Sequence, residues 1–164
     1  MLENIKKNIS DYNNDEEIKK YLHQILNKEV FDKQGLIYGI GHAIYSVSDP
    51  RFEVFKCYVE SLAKEKGLEE EFKLYEKVAF LAPKVISENR NIYKTICPNV
   101  DFYSGFVYKI LEIPKELFTP LFAIARIVGW LAHRMEELIN MNKIIRPAYE
   151  SILESKAYTR LEER

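Results

Sequence analysis

Cysteine is nearly absent from this chain, with only Cys57 and Cys97 in 164 residues. The two are far apart and form no C-x-x-C pair, and a chain of this size has no need of a disulfide framework. A reduced, cytoplasmic setting is the simple expectation. There is no apolar run near the roughly 20 residues of a membrane span. The opening segment, MLENIKKNISDYNNDEEIKK, lacks the apolar stretch of a signal peptide. Charge of one sign is missing too. The formal net charge of -1 argues against a nucleic-acid partner, which would demand a basic excess. It leaves small anionic substrates open, because a few local arginines can hold them inside a neutral protein. There is no internal repeat and no low-complexity tract. What is present is ordinary for a soluble globular domain with a core: 47% hydrophobic and 30% charged residues.

Helical periodicity runs through most of the chain. Ile18, Tyr21, Leu22, Ile25 and Leu26 fall on one face of a helix that Asn14 or Asp15 can cap. Residues 31–49 break the pattern, with Gly35, Gly39 and Gly41 in a short β-leaning stretch. Asp49-Pro50 opens a new helix, Asp at the cap and Pro at the first position, with Phe52, Phe55, Val59 and Leu62 inward and Gly67 as its stop. The next helix starts near residue 68 and turns Phe72, Tyr75, Val78, Ala79 and Ala82 to one side, and Pro83 is expected to kink or end it. TICPNVD reads as a loop leading into a helix over 101–112, which Ile113-Pro114 stops. A last helix is expected over 120–140, capped by Thr119 and apolar on nearly every side, as a helix buried all round would be. The polar tail after Arg146 is expected to be mobile or draped on a partner. The fold class is all-α.

Two segments carry chemistry. In GIGHAIYSVSDPR the glycines let backbone N–H groups approach a ligand, His42 projects from the loop, and Arg51 is a strong carboxylate donor just inside a helix. Met alone, the segment reads more simply as a loop glycine pair, a satisfied histidine and a surface arginine; Gly-x-Gly is a weak signal. In PNVDFYSG, Asp101 sits between Val100 and Phe102 at a loop-to-helix junction. Apolar neighbours would raise a carboxylate's pKa and suit it to pull a carbon-bound proton, while a helix start would lower it. Met alone, Asp101 is more simply an N-cap.

Taken together, the segments resemble a known family. GIGHAIYSVSDPR resembles the histidine loop of the citrate synthases, and PNVDFYSG resembles their aspartate loop. FAIARIVGWLAHRMEE and IIRPAYES resemble the buried C-terminal helix and the Arg-Pro element that follow, in the same order. The resemblance covers residues 1–149. It implies an all-α, citrate synthase-like small helical domain over 1–112, incomplete at its N-terminal side, with terminal helices and tail of the large domain over 113–164.

The resemblance also implies roles. Asp101 matches the base that takes a methyl proton from acetyl-CoA. His42 matches the histidine that polarises the keto carbonyl of oxaloacetate and protonates the new alkoxide. Arg51 and Arg126 match arginines that hold substrate carboxylates, and Arg146 matches one that reaches into the neighbouring subunit's site. Gly39, Ile40 and Gly41 match the backbone that packs on the CoA adenine. No metal or cofactor is implied, acetyl-CoA being a substrate. Ala43 stands where many relatives have Arg, outside the acid–base pair. His23 reads as a solvated surface residue, His133 as structural, and Trp130, Tyr103 and Phe102 as core. Two further active-site histidines of the family, one in a His-Gly-Gly-Ala-Asn motif, are not in this sequence. The 164 residues alone are therefore expected to have negligible synthase activity and to self-associate through the apolar terminal helix. The competing expectations are a 2-methylcitrate synthase, acting on propionyl-CoA, and a non-catalytic helical module that binds CoA or pairs with another subunit.

Overall fold

The computed structural model describes residues 1–91, 94–139, 159, 160 and 162. Six α-helices appear among them: α1 (Leu2–Asn8), α2 (Asp15–Leu26), α3 (Pro50–Glu65), α4 (Glu69–Arg90), α5 (Asp101–Ile110) and α6 (Phe118–Ile139). No strand appears among the described residues. The β-leaning stretch forms turns and one isolated bridge, Ile40 to Pro98. Its residues cannot pair over any length, because Gly35, Gly39 and Gly41 all take positive φ and turn the chain. The chain divides into two compact units, Met1–Thr119 and Pro120–Arg164.

In the first unit α2 lies along α4, and α3 packs on both α5 and α4. Local chemistry sets the helix ends. Asn14 accepts from the backbone N–H groups of Glu16 and Glu17, and Asp49 accepts from that of Arg51. Gly67, at φ +66°, closes α3. The core is aromatic at its centre: Tyr103 stacks on Phe52 at 5.0 Å and on Phe72 at 5.8 Å, and Phe106 meets Tyr75 at 4.5 Å. The short helix α1, which periodicity does not announce, buries Ile5 and is tied down by charge. Lys6 from α1 and Lys109 from α5 both pair with Glu71 on α4, a carboxylate only 5% exposed.

Pro83 does not end its helix. α4 runs through it to Arg90, where Asn91 terminates it in the left-handed conformation. Losing one backbone bond to proline costs about 3 kcal/mol. Leu81, Val85 and Ile86 are all buried around Pro83, and each buried side chain of that kind returns about 1.5–3 kcal/mol. Packing therefore outweighs the break.

α6 spans the expected segment but starts two residues earlier, so Phe118 and Thr119 belong to the first unit and the rest of the helix to the second. No residue of α6 is buried. Trp130 is half exposed and so is not core, and His133 stands exposed beside Glu136 at 3.7 Å. A single apolar helix cannot bury itself. Among the described residues no helix is long and apolar enough to cross a membrane. Asn140 and the tail containing Arg146 lie outside the described residues.

Candidate functional site

The site is built by docking one loop on another. The glycine loop, residues 39–49, lies against residues 96–101. Gly41 donates its N–H to the Cys97 carbonyl at 2.7 Å, and Asn99 donates to the Gly39 carbonyl at 2.9 Å. The Asn99 side chain donates to the Gly41 carbonyl at 2.8 Å and accepts from the Asp101 N–H at 3.0 Å. The Asn99 side chain thus takes up the first N–H of α5, whose cap position is Val100, and Asp101 is the first helical residue rather than the cap. Gly39 has no alternative. Its φ is +82°, and a Cβ there would lie 2.8 Å from the Phe102 Cα.

His42 is held by its Nδ1, which accepts from the backbone N–H groups of Ile44 and Tyr45, both at 3.1 Å. With Nδ1 as acceptor, the neutral ring carries its proton on Nε2. Nε2 faces the Arg51 Nη2 at 3.2 Å. The imidazole and the guanidinium therefore stand side by side, and an anionic oxygen reaching this edge would meet both groups. The Tyr45 ring backs this pair, 4.9 Å from the His42 ring and 5.4 Å from the Arg51 guanidinium carbon.

Arg51 owes its position to Asp49, a fully buried carboxylate. Asp49 accepts from Arg51 Nε at 2.9 Å, from Arg51 Nη2 at 2.8 Å, from the Arg51 N–H at 3.0 Å and from the Val100 N–H at 3.3 Å. The fork to the guanidinium is the main cause that holds the Asp49 carboxyl down at about 2, against the rise that burial alone would impose. The same bonds push the Arg51 guanidinium up, and the charge of Asp101 adds to that rise.

Asp101 itself is exposed, so the desolvation expected from Val100 and Phe102 does not occur in this unit; Phe102 turns into the core instead. Asp101 lines a cleft of about 550 Å³ together with Gly39, Asn99, Phe106, Lys109 and Phe118. His42, Arg51, Asp101 and the 39–41 backbone thus belong to one loop cluster. Arg126 is on α6 in the second unit, and Arg146 lies outside the described residues. Sequence reading missed the second role of Asp49, seen there only as a helix cap, and the role of Tyr45. The signals were the acid two residues before the arginine and the aromatic three after the histidine.

The model of the citrate synthase C-terminal domain matches residues 1–148. The chain belongs to the citrate synthase family. A citrate synthase from Synechocystis sp. is 45% identical over 133 residues, which is 80% of this chain and 30% of that protein. A 2-methylcitrate synthase from Shewanella oneidensis is 37% identical over 121 residues, 74% of this chain and 30% of that protein. Among solved structures, the ternary complex of carboxymethyl coenzyme A and oxaloacetate with the citrate synthase of Thermoplasma acidophilum superposes with a TM-score of 0.63 at 26% identity. That match covers 99% of this chain and 40% of the other. The chain thus spans about 30% of the length of these curated citrate synthase relatives.

Proposed function

We propose that this chain supplies the histidine-loop and aspartate-loop part of a citrate synthase, an acyltransferase that condenses acetyl-CoA with oxaloacetate and water to citrate and CoA. The observation that carries the reading is the juxtaposition of His42 and Arg51. Nε2 and Nη2 stand 3.2 Å apart, with the imidazole orientation locked from behind through Nδ1, so a keto or carboxylate oxygen reaching this edge would meet both the imidazole and the guanidinium. In this reading His42 polarises the keto carbonyl of oxaloacetate and delivers its proton to the alkoxide. Arg51 binds a carboxylate, with Arg126 and Arg146 binding others. Asp101, at the mouth of its cleft, takes the methyl proton of acetyl-CoA. The backbone at Gly39, Ile40 and Gly41 packs on the CoA adenine. The ligands of the Thermoplasma acidophilum complex support the two substrates. Residues 1–112 would serve as the small domain and 113–164 as large-domain helices and tail, in a cytoplasmic homo-oligomer.

The enolate of acetyl-CoA needs a donor at its oxygen, and the His-Gly-Gly-Ala-Asn histidine that gives it in the family is not in this sequence. Removing one such donor costs about 100- to 1000-fold in rate. Thiol release from acetyl-CoA plus oxaloacetate is therefore expected to be negligible with these 164 residues alone. It is expected to appear once the N-terminal portion of a relative is supplied, and Asp101→Ala should lower it by about 100- to 10,000-fold. Faster turnover with propionyl-CoA would favour the second reading, a 2-methylcitrate synthase, which the Shewanella oneidensis relative brings in. No turnover from a folded, complemented chain would leave the non-catalytic module.

A further inference from the structure

The geometry points to Asp49 as a positioning residue that sets the orientation of the Arg51 guanidinium and anchors it to the segment carrying Asp101. This deepens the proposed function, since it rests on Arg51 being a substrate-carboxylate arginine.

A plain helix cap uses one oxygen for one or two backbone N–H groups. Asp49 does more. Its Oδ1 takes the capping bond from the Arg51 N–H at 3.0 Å and also the Arg51 Nε–H at 2.9 Å. Its Oδ2 takes Nη2–H at 2.8 Å and the Val100 N–H at 3.3 Å. An arginine only two residues away can fold back this way because α3 starts between them, turning the side chain over its own cap. The result is a bidentate fork with one fully buried partner, so the guanidinium plane has one favoured setting. In that setting Nη2 meets His42 Nε2 at 3.2 Å, and Nη1 is left to approach a ligand. Without the fork, Arg51 is a long, exposed side chain with many rotamers, and the ordering cost falls on the binding of the dicarboxylate. The Val100 bond is the longest of the four, so the main consequence is for Arg51 and the keto-acid substrate. The acyl-CoA is affected less.

Asp49→Ser and Asp49→Asn test this, since both residues cap helices about as well as aspartate and neither can make the charged fork. In the full chain, the Arg51 Nε–H signal in proton–nitrogen NMR is expected to exchange slowly with water, and to lose that protection in both variants while the backbone spectrum stays dispersed. In the chain complemented with a relative's N-terminal portion, the KM for oxaloacetate is expected to rise about 10- to 100-fold, the size of a lost charge-assisted bond. The KM for acetyl-CoA should change less than about twofold. An unprotected Arg51 signal in the unaltered chain would overturn the inference. So would equal effects on both KM values, or variants that unfold despite their intact cap. Should the unaltered complemented chain show no turnover, the proposed function fails, and the NMR arm still judges Asp49.

Discussion

Helices α5 and α6 are the two most apolar helices among the described residues, and they fare in opposite ways. α5 buries Phe102, Tyr103, Phe106 and Ile110, while α6 buries nothing over 22 residues. Apolarity alone does not decide burial. α5 has α3 beside it and the rings of Phe52, Phe72 and Tyr75 to receive it. Among the described residues of its own unit α6 has no such surface. The helix with the core is also the one that carries the candidate base, Asp101, at its first position, so packing and chemistry are coupled in α5 and separate in α6.

Phe106→Ala should break that contrast most severely. Removing a fully buried ring costs about 3–5 kcal/mol, and urea unfolding followed by fluorescence should show the first unit close to unfolded. Gly39→Ala comes next. It forces a side chain into positive φ and onto the Phe102 Cα, so a loss of about 1–3 kcal/mol is expected, with the His42 and Asp101 backbone signals shifting together.

The stabilising effect of Asp49 should depend on pH. Its carboxyl sits at about 2 in the folded chain against 3.8 ordinarily, so its stabilisation is fully present above about pH 4 and is lost as pH falls towards 2. The gap in urea midpoint between the unaltered chain and Asp49→Asn should therefore close over that interval. The smallest effect is expected for Trp130→Ala, within about 0.5 kcal/mol in this chain, because the ring is half exposed. Supplying the N-terminal portion of a relative should sharpen this. If α6 then becomes buried, the same change should cost about 3–5 kcal/mol.

Much of the fold was legible because its signals are local. Asn14, the Asp49-Pro50 pair and Gly67 announce helix ends through side-chain oxygens and glycine conformations that need no distant partner. The break at residues 31–49 was legible for the same reason. The passage of α4 through Pro83 was not, since it depends on buried neighbours that only the packed unit provides. α1 was missed because much of what holds it comes from Glu71, 65 positions away from Lys6.

The candidate site divides along the same line. The residue types at 39–51 and 98–105, in their order, were enough to point to the citrate synthase family and to name His42, Arg51 and Asp101. Only the tertiary structure decided how they stand to one another. It set the Nε2 proton of His42 by placing two backbone N–H groups on Nδ1, it turned Arg51 back onto a buried Asp49, and it left Asp101 exposed beside a cleft. The physical reason is range. Capping and turn preferences act over a few neighbouring residues. Which donors a ring nitrogen meets, and how much water a carboxylate keeps, depend on groups brought together by packing.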